Sequence, residues 1–313
     1  MVRWLHKKKG FTPEMLAEKP AQDLINETNR ILSQPITVLQ DIPAELSAAL
    51  EQNTYIFSGF KSYRQMHEVS GLLKAEDGGI KPFNAFKEDV QKLHSTYNER
   101  YLEAEYNFAT HSVQSAVKWQ DLENDGDRYN LQYRTANDGK VREEHQSLHN
   151  TTLPASDPFW DSYYPPNGWN CRCTAVQVLK SKYDSSDSAE AIALGNAMTD
   201  TPKLRIFRFN PGKTKQVFPP KHPYLPKDCA GCNKNSIGLA YGKGRPECAA
   251  CKIIQEKSNT VSISKKKYES YGNEWKKEFF NPQNGGYLVT EKSRVEQSKK
   301  NKQELAKYNK EKS

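Results

Sequence analysis

Apolar residues change their spacing several times along the chain, and each change marks an element. Residues 12–50 alternate helical stretches with proline stops at Pro13, Pro20, Pro35 and Pro43, the pattern of short helices that pack on something else. Tyr55-Ile56-Phe57-Ser58-Gly59-Phe60 opens a mixed helix reaching residue 74. A turn at Asp77-Gly78-Gly79 and Pro82 precedes the strongest helical signal, with Asn84 as its expected N-cap. There Phe86, Val90, Leu93, Tyr97, Tyr101, Ala104 and Phe108 recur at steps of three or four, and no Gly or Pro interrupts the run up to Trp119. A helix of roughly 30 residues with this periodicity must bury one stripe.

The period then shortens. Tyr129 to Thr135 alternates like a strand and is closed by an Asn137-Asp138-Gly139 turn. A short helix carries Arg142, His145 and His149, and an irregular aromatic and proline-rich stretch leads to Asn170-Cys171-Arg172-Cys173 and an extended run to Leu179. Residues 181–190, with Ser181, Ser185, Ser186, Asp187 and Ser188, read as a linker. Residues 203–226, rich in Pro and Lys, read as extended. Beyond residue 251, Gly285-Gly286-Tyr287-Leu288-Val289 predicts a turn and strand, followed by a Lys/Glu-rich helix to Ser313.

Four cysteines add chemistry that periodicity does not show. Cys229, Cys232, Cys248 and Cys251 are spaced C-x2-C-x15-C-x2-C, so two thiolate knuckles can converge on one tetrahedral zinc ion. Four protein ligands close the shell, which makes this a structural zinc ribbon with no position for water activation. The competing arrangement is a pair of disulfides, which belongs to secreted chains. Lys7, Lys8 and Lys9 are followed by no apolar signal segment, which favours reduced thiols in a bacterial cytoplasm.

Charge divides the chain. Residues 1–202 hold 21 basic and 28 acidic side chains, whereas residues 203–313 hold 25 basic and 10 acidic, balances of −7 and +15. The basic part suits a polyanionic partner such as nucleic acid, through Lys292, Arg294, Lys299, Lys300 and Lys302 on the last helix. The opposing reading is a solvated helix, because Glu291, Glu296, Glu304 and Glu311 interleave with the lysines. No stretch approaches the 18 apolar residues of a membrane span, and neither a membrane nor a small-molecule substrate is indicated. At 313 residues with 36% hydrophobic content, several small units fit better than one large core.

Residues 133–173 combine Tyr133-Arg134-Thr135-Ala136, Asp138, Val141-Arg142-x2-His145, Asp157-Pro158-Phe159-Trp160 and Pro165-Pro166-Asn167-Gly168-Trp169-Asn170-Cys171-Arg172-Cys173. Upstream, Phe57-Ser58-Gly59, Leu102-Glu103-Ala104-Glu105-Tyr106-Asn107-x-Ala109 and Trp119 follow in order. Together these resemble the Mu F-like phage head morphogenesis family over residues 55–180. The matching motif positions are Glu105, Asn107, Asp138, Arg142, His145, Pro166, Asn170, Cys171 and Cys173. The resemblance implies a minor head protein that acts in capsid assembly near the portal and travels with the DNA. Portal, capsid or scaffold proteins and phage DNA are then the partners, and the host cytoplasm and the phage head are the locations.

His145, Cys171 and Cys173 also make three soft ligands, with His149 a potential fourth, for a second zinc ion. The plainer alternative has Arg142 and His145 bonding loop carbonyls while both cysteines pack as core. An acid–base site from Asp138 or Glu144 with Arg142 and His145 lacks any accompanying nucleophile elbow, P-loop or dinucleotide fingerprint, so no catalytic residue is assigned.

The expected architecture is α+β: a helix-rich head-morphogenesis domain with a small sheet, then a zinc ribbon and a basic C-terminal extension. In order these are an N-terminal helical segment (1–54), the Mu F-like domain (55–180), a linker and extended segment (181–226), the ribbon (227–253) and the extension (254–313). The expected function is non-enzymatic head assembly. Two alternatives remain: a head protein fused to a nuclease-like effector module, and a zinc-dependent nucleic-acid-binding protein.

Overall fold

The computed structural model describes residues 1–39, 42–122, 128–224, 249–258, 260–263, 280–281 and 286–290. The chain divides into two compact units, Met1–Cys251 and Lys252–Ser313.

The first unit opens with α1 (Val2–Lys8), a 3-10 turn (Pro13–Ala17), α2 (Lys19–Leu32), α3 (Gln34–Val38) and α4 (Ala44–Gly71). The prolines expected to stop helices instead start them. Pro13, Pro20 and Pro35 lie in first turns and Pro43 is the N-cap of α4. A first-turn amide has no helical partner, so its loss costs nothing there. α4 runs unbroken through residues 54 and 55, so the boundary expected between 1–54 and 55–180 falls inside one helix.

The long periodic helix is observed as α5 (Phe83–Ser95), a π-turn (Thr96–Tyr101) and α6 (Leu102–Leu122). Pro82, not Asn84, is the N-cap of α5. α6 serves two cores. Phe108, Ala109, Val113 and Ala116 join Leu32, Leu46, Leu50 and Phe57 in a helical core. One turn on, Trp119 and Leu122 enter a second core with Leu131, Tyr133, Leu153, Phe159 and Trp160.

That second core lies on a small antiparallel sheet of order β2-β1-β3, formed by β1 (Tyr129–Arg134), β2 (Thr152–Leu153) and β3 (Thr174–Leu179). α7 (Glu143–Gln146) precedes β2, and α8 (Phe159–Tyr163) lies between β2 and β3. In register, Leu131 faces Leu153 on one side, and Tyr133 faces Ala175 on the other. β1 is buried on both faces: Asn130 donates to Ser185 Oγ at 3.0 Å and Gln132 to Thr152 Oγ1 at 2.8 Å. The alternation in the sequence thus reflects an apolar face and a hydrogen-bonded polar face.

The expected linker and extended segment at 181–226 is largely packed structure. α9 (Ser188–Met198), α10 (Pro202–Arg205) and α11 (Pro211–Thr214) follow the sheet. Phe207, Phe209, Val217 and Phe218 are buried in the helical core, and Phe218 stacks on Phe57 with centroids 3.7 Å apart. Asn53 fixes the segment from α4, its Oδ1 accepting the backbone N–H groups of Val217 and Phe218, each at 2.9 Å. The physical reason is that four large apolar side chains gain more from burial than the intervening Lys and Pro residues cost at the surface.

α12 (Ala249–Ser258) spans the boundary between units. In the second unit, β4 (Thr260–Ile263), β5 (Phe280–Asn281) and β6 (Gly286–Thr290) form an antiparallel sheet of order β4-β6-β5. β6 is the strand expected from the Gly-Gly-Tyr-Leu-Val pattern. Lys292, Arg294, Lys299, Lys300 and Lys302 lie outside the described residues.

Candidate functional site

Most of the motif residues converge beside the β2-β1-β3 sheet. After β1 the chain turns through Asn137, whose φ is 49°, and Asp138. Arg142 is the N-cap of α7, and one turn of that helix places His145 against the loop that precedes β3. The loop before Cys171 contains a cis Pro165-Pro166 peptide, and Asn170 has a φ of 56°.

Cys171 and Cys173 both approach His145. Their sulfurs lie 3.6 and 3.5 Å from its Nδ1. His145 and Cys171 are buried, Cys173 partly so, and among the described residues these three can hold a metal ion, with ligand atoms all within 4.8 Å of one another. Cys173 S–H donation lowers the Cys171 thiol well below its usual range, with His145 reinforcing the shift and burial opposing it. Cys173 moves the opposite way, raised by its hydrogen bond with Cys171 and by burial.

Surrounding groups hold this trio. Arg142 Nη1 lies 3.0 Å from His145 Nε2, and its Nη2 donates to the Trp169 carbonyl. Arg172 binds Asp138 through two bonds, at 2.6 and 2.8 Å, which ties the turn after β1 to the cysteine loop and lowers the Asp138 carboxyl to about 2. Tyr133 donates its hydroxyl to Asn167 Oδ1 at 3.0 Å from below. Asn107 of α6 reaches Asn170 Oδ1 at 3.3 Å.

His149 does not join the trio. Its Nδ1 receives the Thr135 backbone N–H at 3.1 Å and lies 2.8 Å from the Thr135 hydroxyl, which fixes the end of β1. Glu105 is elsewhere too, buried in an ion pair with Lys61 in the helical unit. Lys61 Nζ also donates to the Tyr97 carbonyl at 2.8 Å, and Tyr224 donates to Glu105 Oε1 at 2.6 Å. Burial lowers Lys61 and raises Glu105 more than their attraction offsets. Sequence reasoning missed Lys61 and Tyr224, whose spacing carries no signal, and gave Arg172 no role, although it lies between the two cysteines.

Of the four-cysteine motif, Cys229, Cys232 and Cys248 lie outside the described residues. Cys251 is buried in the first turn of α12 and disulfide-bonded. That bond is the arrangement that competes with zinc for the quartet.

Comparison with known proteins assigns the segment. Residues 77–176 match the family described as Phage Mu protein F like protein. The "Putative capsid assembly protein F" of Escherichia phage Mu is 43% identical over 75 residues, 24% of this chain and 17% of that protein. The "Mu-like prophage FluMu F protein" of Haemophilus influenzae is 39% identical over 75 residues, 22% of this chain and 18% of that protein. The matches thus span less than a fifth of the length of these curated relatives. No solved structure matches. The sheet, α7 and the His145, Cys171 and Cys173 trio all lie inside or at the edge of the matched region, and over that region the chain is similar to the Mu F-like phage proteins.

Proposed function

We propose that this chain acts in assembly of a bacteriophage or prophage head, as a minor component near the portal that enters the particle with the DNA. The observation that carries the reading is the 43% identity over 75 residues to a protein named for capsid assembly, beside the family match of residues 77–176. The helix-rich fold with its tied-down sheet suits a structural part. Among the described residues no helix is long and apolar enough to cross a membrane. The balance of +15 over residues 203–313 supports contact with packaged DNA. Heads and procapsids purified from an induced lysogen should contain the chain at low copy number, and its deletion should reduce head yield. Absence from both particles defeats the proposal.

The four-cysteine zinc ribbon belongs to the same proposal. A close approach of sulfurs is needed by a disulfide and by a shared zinc alike. Assembly in a reducing host cytoplasm favours thiolates and the metal. A nuclease-like module is the second reading, supported by the separate unit Lys252–Ser313 with its own antiparallel sheet. It requires the full chain to degrade RNA or DNA in the presence of chelator, and an inert chain removes it.

A further inference from the structure

The His145, Cys171 and Cys173 trio has an inference of its own, which does not rest on the head-assembly reading. We propose that His145 Nδ1 and the sulfurs of Cys171 and Cys173 bind one zinc ion, with water in the fourth position.

Distance is the first argument. Usual Zn–S and Zn–N bonds of about 2.3 and 2.0 Å in a tetrahedron place nitrogen and sulfur about 3.5 Å apart. The two sulfurs lie 3.6 and 3.5 Å from Nδ1. The ligands come from segments 26 and 28 residues apart, so the convergence is a product of the fold and not of helix spacing.

The surroundings form the second argument. The Asn167 backbone N–H is a hydrogen-bond partner of the Cys171 sulfur. Such a donor stabilises a bound thiolate from outside the coordination shell. Two thiolates cancel the charge of a dication, so loading the site leaves no unbalanced charge among buried groups.

Arg142 makes the site testable. A guanidinium only donates, so its contact 3.0 Å from His145 Nε2 requires a lone pair on that nitrogen. Zinc on Nδ1 moves the ring proton to Nε2. Binding therefore displaces Arg142 from the imidazole and leaves it on the Trp169 carbonyl, which it already contacts. Removing the Arg142 side chain should strengthen zinc binding, whereas it would loosen a cluster held by hydrogen bonds alone.

The experiment uses the full chain carrying Cys229→Ser, Cys232→Ser, Cys248→Ser and Cys251→Ser, which silences the other motif. After equilibration with zinc and dialysis, this protein should retain one zinc per chain. Adding His145→Ala or Cys173→Ala should remove it, His145→Cys should keep it, and Arg142→Ala should hold it at least as tightly. Cobalt in place of zinc should give a thiolate-to-metal charge-transfer band that Cys173→Ala abolishes. A folded four-serine chain that holds no metal overturns the proposal, as does zinc that survives both His145→Ala and Cys173→Ala. If the four-serine chain does not fold, the comparison moves to the unaltered chain. There Cys173→Ala should lower the zinc content by one per chain, and no fall overturns the proposal.

Discussion

Gly212 lies against the indole-bearing carbon of Trp119: a β-carbon at 212 would stand 2.2 Å from Trp119 Cβ and 2.3 Å from Cγ. Both atoms are near the backbone of α6, so no flexible side-chain end can yield. Gly212→Ala should push α11 off α6 and cost about 1–3 kcal/mol, the usual range for overpacking. The shift in urea midpoint at constant slope measures it. An unchanged midpoint would show that the two helices part without loss.

Asn53 holds the segment before Tyr224 through two backbone N–H groups, at 2.9 Å each, across 164 and 165 residues of sequence. Asn53→Ala leaves both donors buried without that acceptor, a loss of about 2 kcal/mol or more. Amide hydrogen exchange at Val217 and Phe218 should accelerate ahead of exchange in β1. Equal acceleration everywhere would mean that Asn53 acts only through global stability.

The buried pair Lys61 and Glu105 separates a single from a double substitution. Lys61→Met strands a buried carboxyl and should cost about 3–5 kcal/mol, whereas Lys61→Met with Glu105→Leu should recover much of that loss. Thermal melts of the three chains test the coupling. A double variant no more stable than Lys61→Met alone would contradict it.

His222 gives stability a defined pH dependence. Burial, aided by the Lys61 charge, lowers its folded pKa from 6.5 to about 3. As pH falls below about 6.5 the unfolded chain takes up a proton that the folded chain refuses, so stability decreases toward acid. The contribution is complete above that pH and drops by about 1.4 kcal/mol per pH unit below it. His222→Phe should flatten this part of the stability profile between pH 7 and pH 4 relative to the unaltered chain (about one proton's slope). Identical profiles would show that His222 is protonated in the folded state.

The basic extension should bind duplex DNA with a steep loss of affinity as salt rises, at a slope of about 0.9 per phosphate contact. Replacing Lys292, Arg294, Lys299, Lys300 and Lys302 with Gln should reduce that slope. A salt-independent isotherm would assign the charge to solvation alone.

The sequence showed what periodicity and motif spacing can encode. Phe86 to Phe108 marked the long helix, Tyr129 to Thr135 marked β1, and the Cys171 and Cys173 pair with His145 pointed to residues that the fold brings together. What stayed hidden depends on distant partners. Phe207, Phe209, Val217 and Phe218 sit in short helices and turns with no repeating period, and abundant Lys and Pro made the segment look solvated. Four large apolar residues within a dozen positions were the available signal. Lys61 resembled any surface lysine because its carboxylate partner is 44 residues away. His149 shared its helical spacing with His145, but Thr135 claims its ring.

Because α6 supplies side chains to both cores, the region matched to Mu F-like proteins, residues 77–176, is not a self-contained cassette. Phe57 from upstream and Phe218 from downstream close one of its faces. Exchanging only the matched stretch for that of a relative would import a spine with mismatched cladding. Viable crossovers should instead fall outside Leu32 to Phe218, so that the spine and its cladding are inherited together.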